Sequence, residues 1–169
     1  MKYALVDGKI LDGTKDMKVQ EGLCLLINGE KIEDILPIKD AEKKADFGSY
    51  EKIDLQGGYV MPGLINMHVH LAGSGKPQKK QRDNEKLVKQ IMGNPLNKKI
   101  AYKMVCGFAK DEMLSGVTTI RTVGGLGDFD TRLRDEIKAG TKPGPRILAA
   151  NQGISVPGGH MAGSVAIAA

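Results

Sequence analysis

One apolar run, from Gly63 to Leu71, constrains the fold of this 169-residue chain more than any other segment. An apolar run of this length that follows Pro62 is typical of a strand buried on both faces, as in parallel sheets. The run ends in His68-Val69-His70. Because side chains alternate faces along a strand, we predict that the two imidazoles project to the same side.

The position of these two histidines suggests a ligand site. They follow the strand at its carboxyl end, where α/β sheets bind their ligands. Neutral imidazole is the commonest metal ligand in proteins, and two imidazoles on one face supply half of a tetrahedral coordination shell. A bare His-x-His is more often a pair of satisfied polar residues at a strand end, so the flanking sequence has to decide between the two interpretations.

The chain changes its pattern near Pro62. Residues 1–61 hold short apolar runs around Asp7-Gly8 and Asn28-Gly29, two strong hairpin dipeptides, which predict a small β-domain. Residues 62–169 alternate strands with helices instead, and this alternation predicts parallel strands joined by crossover helices. The elements predicted after the first strand are a helix over 98–115, a strand over 117–122, a helix over 130–139 and a strand over 146–150.

Several segments resemble the amidohydrolase superfamily of metal-dependent hydrolases, and within it the branch of imidazolonepropionase-like proteins and Xaa-Pro dipeptidases. The segment 58–71 resembles the signature that opens the barrel of that family. The other similar segments are 7–14 and 27–32 in the small β-domain, then Gly116–Arg121, Pro145–Ala150 and Gly158-Gly159-His160.

The resemblance implies a fold, a cofactor and a reaction. The fold would be α/β, with a small N-terminal β-domain followed by the first three β/α units of an incomplete TIM (β/α)8 barrel. His68 and His70 would bind a divalent metal, most often Zn²⁺, at a centre of one or two ions. Metal-activated water would then hydrolyse a C–N bond in an amide, cyclic amide or dipeptide.

The remaining ligands and the general base of such an enzyme come from later strands. A complete barrel takes about 250 residues, whereas roughly 107 follow Pro62. We therefore expect the chain to be the amino-terminal part of a longer enzyme, with unpaired strand edges and with no catalytic base among its own residues.

Three further positions are of interest. His160, after the flexible pair Gly158-Gly159, would lie at the same rim as the first two histidines, so we predict that His160 and Gly159 contact substrate. Arg121 is predicted to be a structural ion-pair partner. Gly124-Gly125-Leu126-Gly127 predicts a tight turn, with Asp128 and Asp130 capping the next helix.

Composition and charge limit the classes of partner and the cellular compartment that we expect for this chain. The net charge of +5 is concentrated in a basic stretch without interleaved aromatic residues, which argues against nucleic-acid binding. That stretch comprises Lys76, Lys79, Lys80, Arg82, Lys86 and Lys89. No apolar run reaches the length of a membrane span, and two separate cysteines, Cys24 and Cys106, suit the cytoplasm.

Two alternatives stay open. The chain could be a catalytically inactive remnant, or a subunit that needs a complementary C-terminal segment. It could also be a metal- or anion-binding module that uses the basic loop over 72–97. A homo-oligomer is possible in each case.

Overall fold

The computed structural model of the chain describes residues 1–75, 77 and 83–168. It divides into two compact units, Met1–Pro62 and Gly63–Ala169. Four members of the predicted basic stretch, Lys76, Lys79, Lys80 and Arg82, lie outside the described residues.

The first unit is a small β structure built on one four-stranded sheet. Its strands run in the order β4-β3-β1-β5, and a separate two-stranded sheet pairs β2 with β6. The bounds are β1 (Lys2–Val6), β2 (Lys9–Ile10), β3 (Leu23–Asn28), β4 (Lys31–Pro37), α1 (Ile38–Ala41), a 3-10 turn (Phe47–Ser49), β5 (Glu51–Asp54) and β6 (Tyr59–Val60).

One of the two predicted hairpins forms and the other does not. Asn28-Gly29 connects β3 to β4 as an antiparallel hairpin, with Gly29 at a φ of +63°. The hairpin predicted at Asp7-Gly8 was wrong, because β1 is already paired on both edges, with β3 on one side and β5 on the other. The chain turns at this dipeptide, with Asp7 at a φ of +52°, and continues into the second sheet.

The second unit combines a parallel sheet with helices. Strands β7, β8 and β9 pair in that order and all run parallel, which confirms the three strands and the two predicted helices between them. The bounds are β7 (Leu64–Val69), α2 (Asn84–Met92), α3 (Pro95–Leu114), β8 (Val117–Thr122), α4 (Phe129–Lys138), β9 (Arg146–Leu148), β10 (Gly153–Ser155) and β11 (Ala166–Ala168).

Part of the apolar tail forms a strand for which we made no prediction from the sequence. Strand β11 pairs in parallel with β10, starting where Gly153 lies opposite Ala166. The pattern of small residues gave no strand signal, because alanine is depleted in strands.

The long helix α3 begins and ends where local chemistry requires it. The Asn94 side chain accepts hydrogen bonds from the backbone N–H groups of Leu96 (2.9 Å) and Asn97 (3.2 Å), and Pro95 occupies the first turn, where its missing N–H costs nothing. The helix ends before Gly116, whose φ of +95° is unfavourable for other residues. Helix α4 begins differently from the prediction: Asp128 is its N-cap but makes no side-chain capping bond, and the N–H of Thr131 in the first turn donates to Asn151 Oδ1 at 3.0 Å instead.

Strand β7 differs from the predicted strand buried on both faces. Leu64, Ile65 and Met67 are 50%, 64% and 47% exposed. The reason is that β7 is an edge strand, paired only with β8 among the described residues. Only Val69, at its end, packs into the core of the second unit.

That core lies between the parallel sheet and the helices. Its buried members are Val69, Leu71, Ala101, Tyr102, Val105, Ala109, Ile120, Leu126, Phe129, Leu133, Ile147 and Val165. Leucine, isoleucine and valine side chains predominate, and the Tyr102 and Phe129 rings add one edge-to-face contact with centroids 5.1 Å apart.

Both cysteines are unpaired. Cys24 lies in the core of the first unit, and burial raises the pKa of its thiol. No helix in the described part of the chain has the length and apolar character to cross a membrane.

Helices α3 and α4 are joined by a polar cluster at Tyr102. Its hydroxyl donates a 2.8 Å hydrogen bond to Glu136 Oε2, and the Arg132 guanidinium lies 4.0 Å from the centre of its ring. Arg132 Nε also bonds Glu136 Oε1 at 2.9 Å. These partners, Arg132 first and Tyr102 second, lower the pKa of the Glu136 carboxyl.

We expect Tyr102→Phe to lower the free energy of unfolding at pH 7 by about 1 kcal/mol, because it removes a hydrogen bond to a charged group. A carboxyl whose pKa is lowered by folding adds stability above its unfolded pKa and loses it as the pH falls through the folded pKa. The deficit should therefore shrink below about pH 4, as measured by urea unfolding. Tyr59→Phe, at an exposed ring, is the control and should leave the stability unchanged; an equal loss in both variants would contradict the assignment.

Candidate metal centre

The two histidines of β7 converge at the carboxyl end of the strand. His68 Nε2 and His70 Nε2 lie 3.2 Å apart, and the ring planes are inclined at 68°. Both side chains are exposed. The two imidazoles therefore project to the same side of the strand, as predicted.

This separation suits two nitrogens bound to one cation. With Zn–N bonds of about 2.0–2.1 Å and tetrahedral angles, the two ligand nitrogens of one Zn²⁺ lie about 3.3 Å apart. Without a cation, the same distance allows an N–H of one ring to bond the nitrogen of the other. Among the described residues, no third histidine, cysteine, aspartate or glutamate joins the pair in a group that could hold a metal ion.

The orientation of His70 is fixed from behind by a backbone carbonyl. His70 Nδ1 lies 3.1 Å from Gly124 O, in the turn after β8 (Val117–Thr122). A carbonyl oxygen only accepts, so Nδ1 carries the proton and the lone pair of Nε2 is left for a ligand. Metal-bound histidines commonly donate their second ring N–H to such an oxygen.

The Gly124-Gly125 turn allows this contact because it has no side chains. A Cβ at Gly124, whose φ is +155°, would lie 3.1 Å from His70 Nδ1 and Cε1. A Cβ at Gly125 would lie 2.5 Å from Asp130 Oδ2. The turn is thus enclosed between an imidazole and a carboxyl group, which explains the glycines without any phosphate-binding role.

Asp130 lies behind this turn, and its part in the site was missed in the sequence. It is 1% exposed, and Oδ2 has no hydrogen-bond partner among the described residues. Burial raises the pKa of its carboxyl, whereas Thr122, the Asn151 backbone and the charge of His70 act to lower it. Its pattern in sequence matched an ordinary helix cap, so no local signal distinguished it.

The strand that holds the histidines is irregular. Asn66 pairs with Ile120 and Val69 with Thr122, so β7 advances three residues while β8 advances two. This extra residue is a β-bulge at Met67 and His68.

Arg121 Nε donates a 2.9 Å hydrogen bond to Met67 O. The predicted ion pair of Arg121 was wrong: no salt bridge of Arg121 occurs among residues 1–75, 77 and 83–168, because its side chain bonds a main-chain carbonyl.

His160 and Gly159 follow β10 (Gly153–Ser155) in an exposed loop. Gly159 N–H bonds Val156 O at 2.9 Å, and Ala162 N–H bonds Gly159 O at 3.2 Å, so the loop is internally ordered. No contact in the described part of the chain joins the His160 ring to His68 or His70. Val165, five residues later, lies 3.5 Å from the Cβ position of Gly124, which brings the end of this loop beside the turn.

Two open clefts, of about 460 Å³ and 450 Å³, are lined by other residues than the histidine pair. The larger is within the first unit, around Asp7, Lys9 and Lys52; the smaller lies around Lys89, Gln152 and Ser164. The exposure of His68 and His70 places both side chains on an open surface of the described part of the chain.

Comparison with known proteins identifies the family. The amidohydrolase family profile matches residues 51–134, which include β7, α3 and β8. The chain belongs to the amidohydrolase superfamily. Its structure is similar to that of a Bifidobacterium longum protein assigned as a prolidase, with 30% identity and a TM-score of 0.71, over 98% of this chain and 34% of that chain.

Two other relatives are informative. A Xaa-Pro dipeptidase, solved with methionine in its active site, is 31% identical, with a TM-score of 0.65, over 91% of this chain and 34% of that chain. In sequence, the 5-methylthioadenosine/S-adenosylhomocysteine deaminase of Bacillus cereus (strain ZK / E33L) is 32% identical over 74 residues, which are 44% of this chain and 16% of the deaminase. The chain thus spans about a third of the length of its solved relatives and less of the deaminase.

We expect Gly124→Ala to displace the His70 ring and to lower the free energy of unfolding by about 1–3 kcal/mol, because the new Cβ would crowd Nδ1 and the backbone would be strained. The displacement can be measured as a shift of the His70 Cε1–H resonance in ¹H–¹³C NMR spectra.

Gly107→Ala is the matched control for this change. Gly107 lies in α3 with open space at its Cβ position, so alanine should stabilise the protein by about 0.5–1 kcal/mol and leave the His70 resonance in place. An unmoved His70 resonance in Gly124→Ala would refute the role of the turn.

Proposed function

We propose that the chain supplies the first metal-binding strand of an amidohydrolase that hydrolyses a C–N bond in an amide, cyclic amide or dipeptide. The observation that carries this proposal is the 3.2 Å separation of His68 Nε2 and His70 Nε2 at the carboxyl end of β7. Membership in the superfamily supports the class of reaction, and the similarity to a Xaa-Pro dipeptidase favours a dipeptide substrate.

The residues of this chain would act as ligands and as their supports. His68 and His70 offer two imidazole nitrogens to a divalent metal, for which Zn²⁺ is the favoured ion because it prefers nitrogen ligands in a tetrahedral arrangement. A bound divalent ion would lower the pKa of a coordinated water and polarise the scissile carbonyl. Gly124 O keeps the His70 proton on Nδ1, which leaves Nε2 free to bind.

His160 and Gly159 are proposed as substrate contacts. Their loop ends at Val165, which packs beside the Gly124 turn, so the loop is tethered near the histidine pair. Met161 follows His160 at a φ of +61°, a conformation that turns the chain sharply next to the imidazole. We assign no general base to this chain, since the family pattern places that residue on a later strand.

We further propose that residues 62–169 form the first three β/α units of a TIM barrel, after a β-domain over 1–61. Within the described part of the chain, strand β7 pairs with β8 alone, and Ile65 and Met67 on it are exposed. The remaining strands, from a complementary C-terminal segment, would cover these apolar side chains and bring the missing ligands. An isolated chain would then be catalytically inactive, which is the main alternative to an active enzyme.

Two unpaired cysteines favour a reducing compartment, the cytoplasm. The alternative of an anion-binding module on the basic loop has less support, because Lys89, one of its described members, is paired with Glu85 at 2.6 Å.

Metal binding tests the proposed centre directly. Titration of the metal-free chain with Zn²⁺ should shift the Cε1–H resonances of His68 and His70, because both rings would coordinate the ion. His68→Ala or His70→Ala should each weaken binding at least about tenfold, since one imidazole ligand is lost.

His160→Ala is the control and should bind Zn²⁺ as the unchanged chain does, because no contact between described residues joins His160 to His68 or His70. An affinity that is the same in all three variants would eliminate the proposed centre.

Complementation tests the proposed barrel. The chain should co-purify with the part of the Xaa-Pro dipeptidase that lies outside the matched third, and the pair should hydrolyse a Xaa-Pro dipeptide only with metal present. Ile65→Asp should abolish this association because it places a charge on the exposed face of β7. Ile32→Asp, at a position equally exposed at 64% in the first unit, should not. Association that survives Ile65→Asp would contradict the proposed edge.

A further inference from the structure

The β-bulge in β7 leaves two backbone groups that the parallel ladder does not pair. Between the register positions of Asn66 and Val69, the strand contains Met67 and His68 opposite a single residue, Arg121. Met67 and His68 are exposed, so a side-chain bond to these groups serves here to fix the geometry of the peptide and not to rescue a buried polar group.

Two side chains satisfy these groups. Arg121 Nε donates to Met67 O at 2.9 Å, and Asn66 Oδ1 accepts from the backbone N–H of His68 at 3.2 Å. Both bonds act on the peptide that joins Met67 to His68. The orientation of that peptide sets the direction in which the His68 side chain leaves the strand.

The direction of His68 matters because the imidazoles must lean towards each other. Residues two apart in a regular strand are about 6.6 Å apart along it. The ring tips of His68 and His70 are separated by only 3.2 Å. A bulge increases the local twist and re-aims the side chain beside it. His70 is held by Gly124 O, whereas the rear nitrogen of His68 has no bond of this kind among the described residues.

We propose that Arg121 is a positioning residue for the metal centre, which acts through Met67 O to hold the bulge that directs His68 towards His70. The inference rests on the proposed metal-binding function. It assigns to Arg121 a role that depends on its Nε–H donor and not on its positive charge. Asn66 assists from the other side of the same peptide.

Two substitutions of nearly equal length separate the donor from the charge. In Arg121→Gln, the side-chain amide nitrogen takes the place of Nε, so an N–H can still reach Met67 O without the charge. In Arg121→Met, a methyl group takes that place, and both donor and charge are lost. Only three histidines occur in the chain, so each Cε1–H resonance can be assigned, with His160 as an internal reference.

The metal-free spectrum provides the first measurement. Arg121→Met should move the His68 Cε1–H resonance and leave that of His160 unchanged, whereas Arg121→Gln should resemble the unchanged chain. Zn²⁺ titration provides the second: Arg121→Met should bind about 10–100-fold more weakly, the usual effect of losing a residue that orients a ligand. Arg121→Gln should stay within about threefold. Thermal melting of each variant reports any general loss of structure.

The outcomes distinguish this inference from the proposed function. If the unchanged chain does not bind Zn²⁺, the proposed centre fails, while the His68 resonance still tests the role of Arg121. If both variants match the unchanged chain, or both lose binding equally, the Nε–H donor has no positioning role. If Arg121→Met does not fold, Asn66→Leu provides a second test, because it removes the acceptor for the His68 N–H with a side chain of similar size. This variant should move the His68 resonance in the same way. An unmoved resonance would overturn the inference.

Discussion

The parallel pairing of β7 with β8 is the constraint on which the rest of the site depends. It places the carboxyl ends of both strands at one edge, so that the histidines of β7 meet the turn that follows β8. Without that pairing, His70 would lose the carbonyl that fixes its proton, and the bulge carbonyl of Met67 would lose Arg121. The core below the sheet holds the pairing in place through Val69 and Ile120.

Local patterns predicted much of this architecture. Helix α3 and strand β8 were identified from apolar spacing and from glycine or β-branched content, because these signals depend on a few neighbouring residues. The His68 and His70 pair was also evident, since the period of a strand alone places both on one face. A family resemblance added the superfamily, which the match over residues 51–134 supports.

Features that depend on residues distant in the sequence could not be predicted from such local patterns. Whether Asp7-Gly8 closes a hairpin depends on which strands compete for the edges of β1, and two distant strands occupy both. The exposure of Ile65 follows from the edge position of β7 among the described residues, which the apolar run did not reveal, although the chain length led us to expect unpaired edges. Arg121 was interpreted by its charge, yet its contact is with a carbonyl that only a bulge in another strand makes available.

The enclosure of the Gly124-Gly125 turn has a mechanical consequence. One peptide unit is in contact with an imidazole on one side and with the carboxyl group of Asp130, in the first turn of α4, on the other. Displacement of the start of that helix would therefore be transmitted to the carbonyl that orients His70. The geometry of the histidine pair and the position of α4 are therefore coupled. A substitution that changes one of them would also change the other.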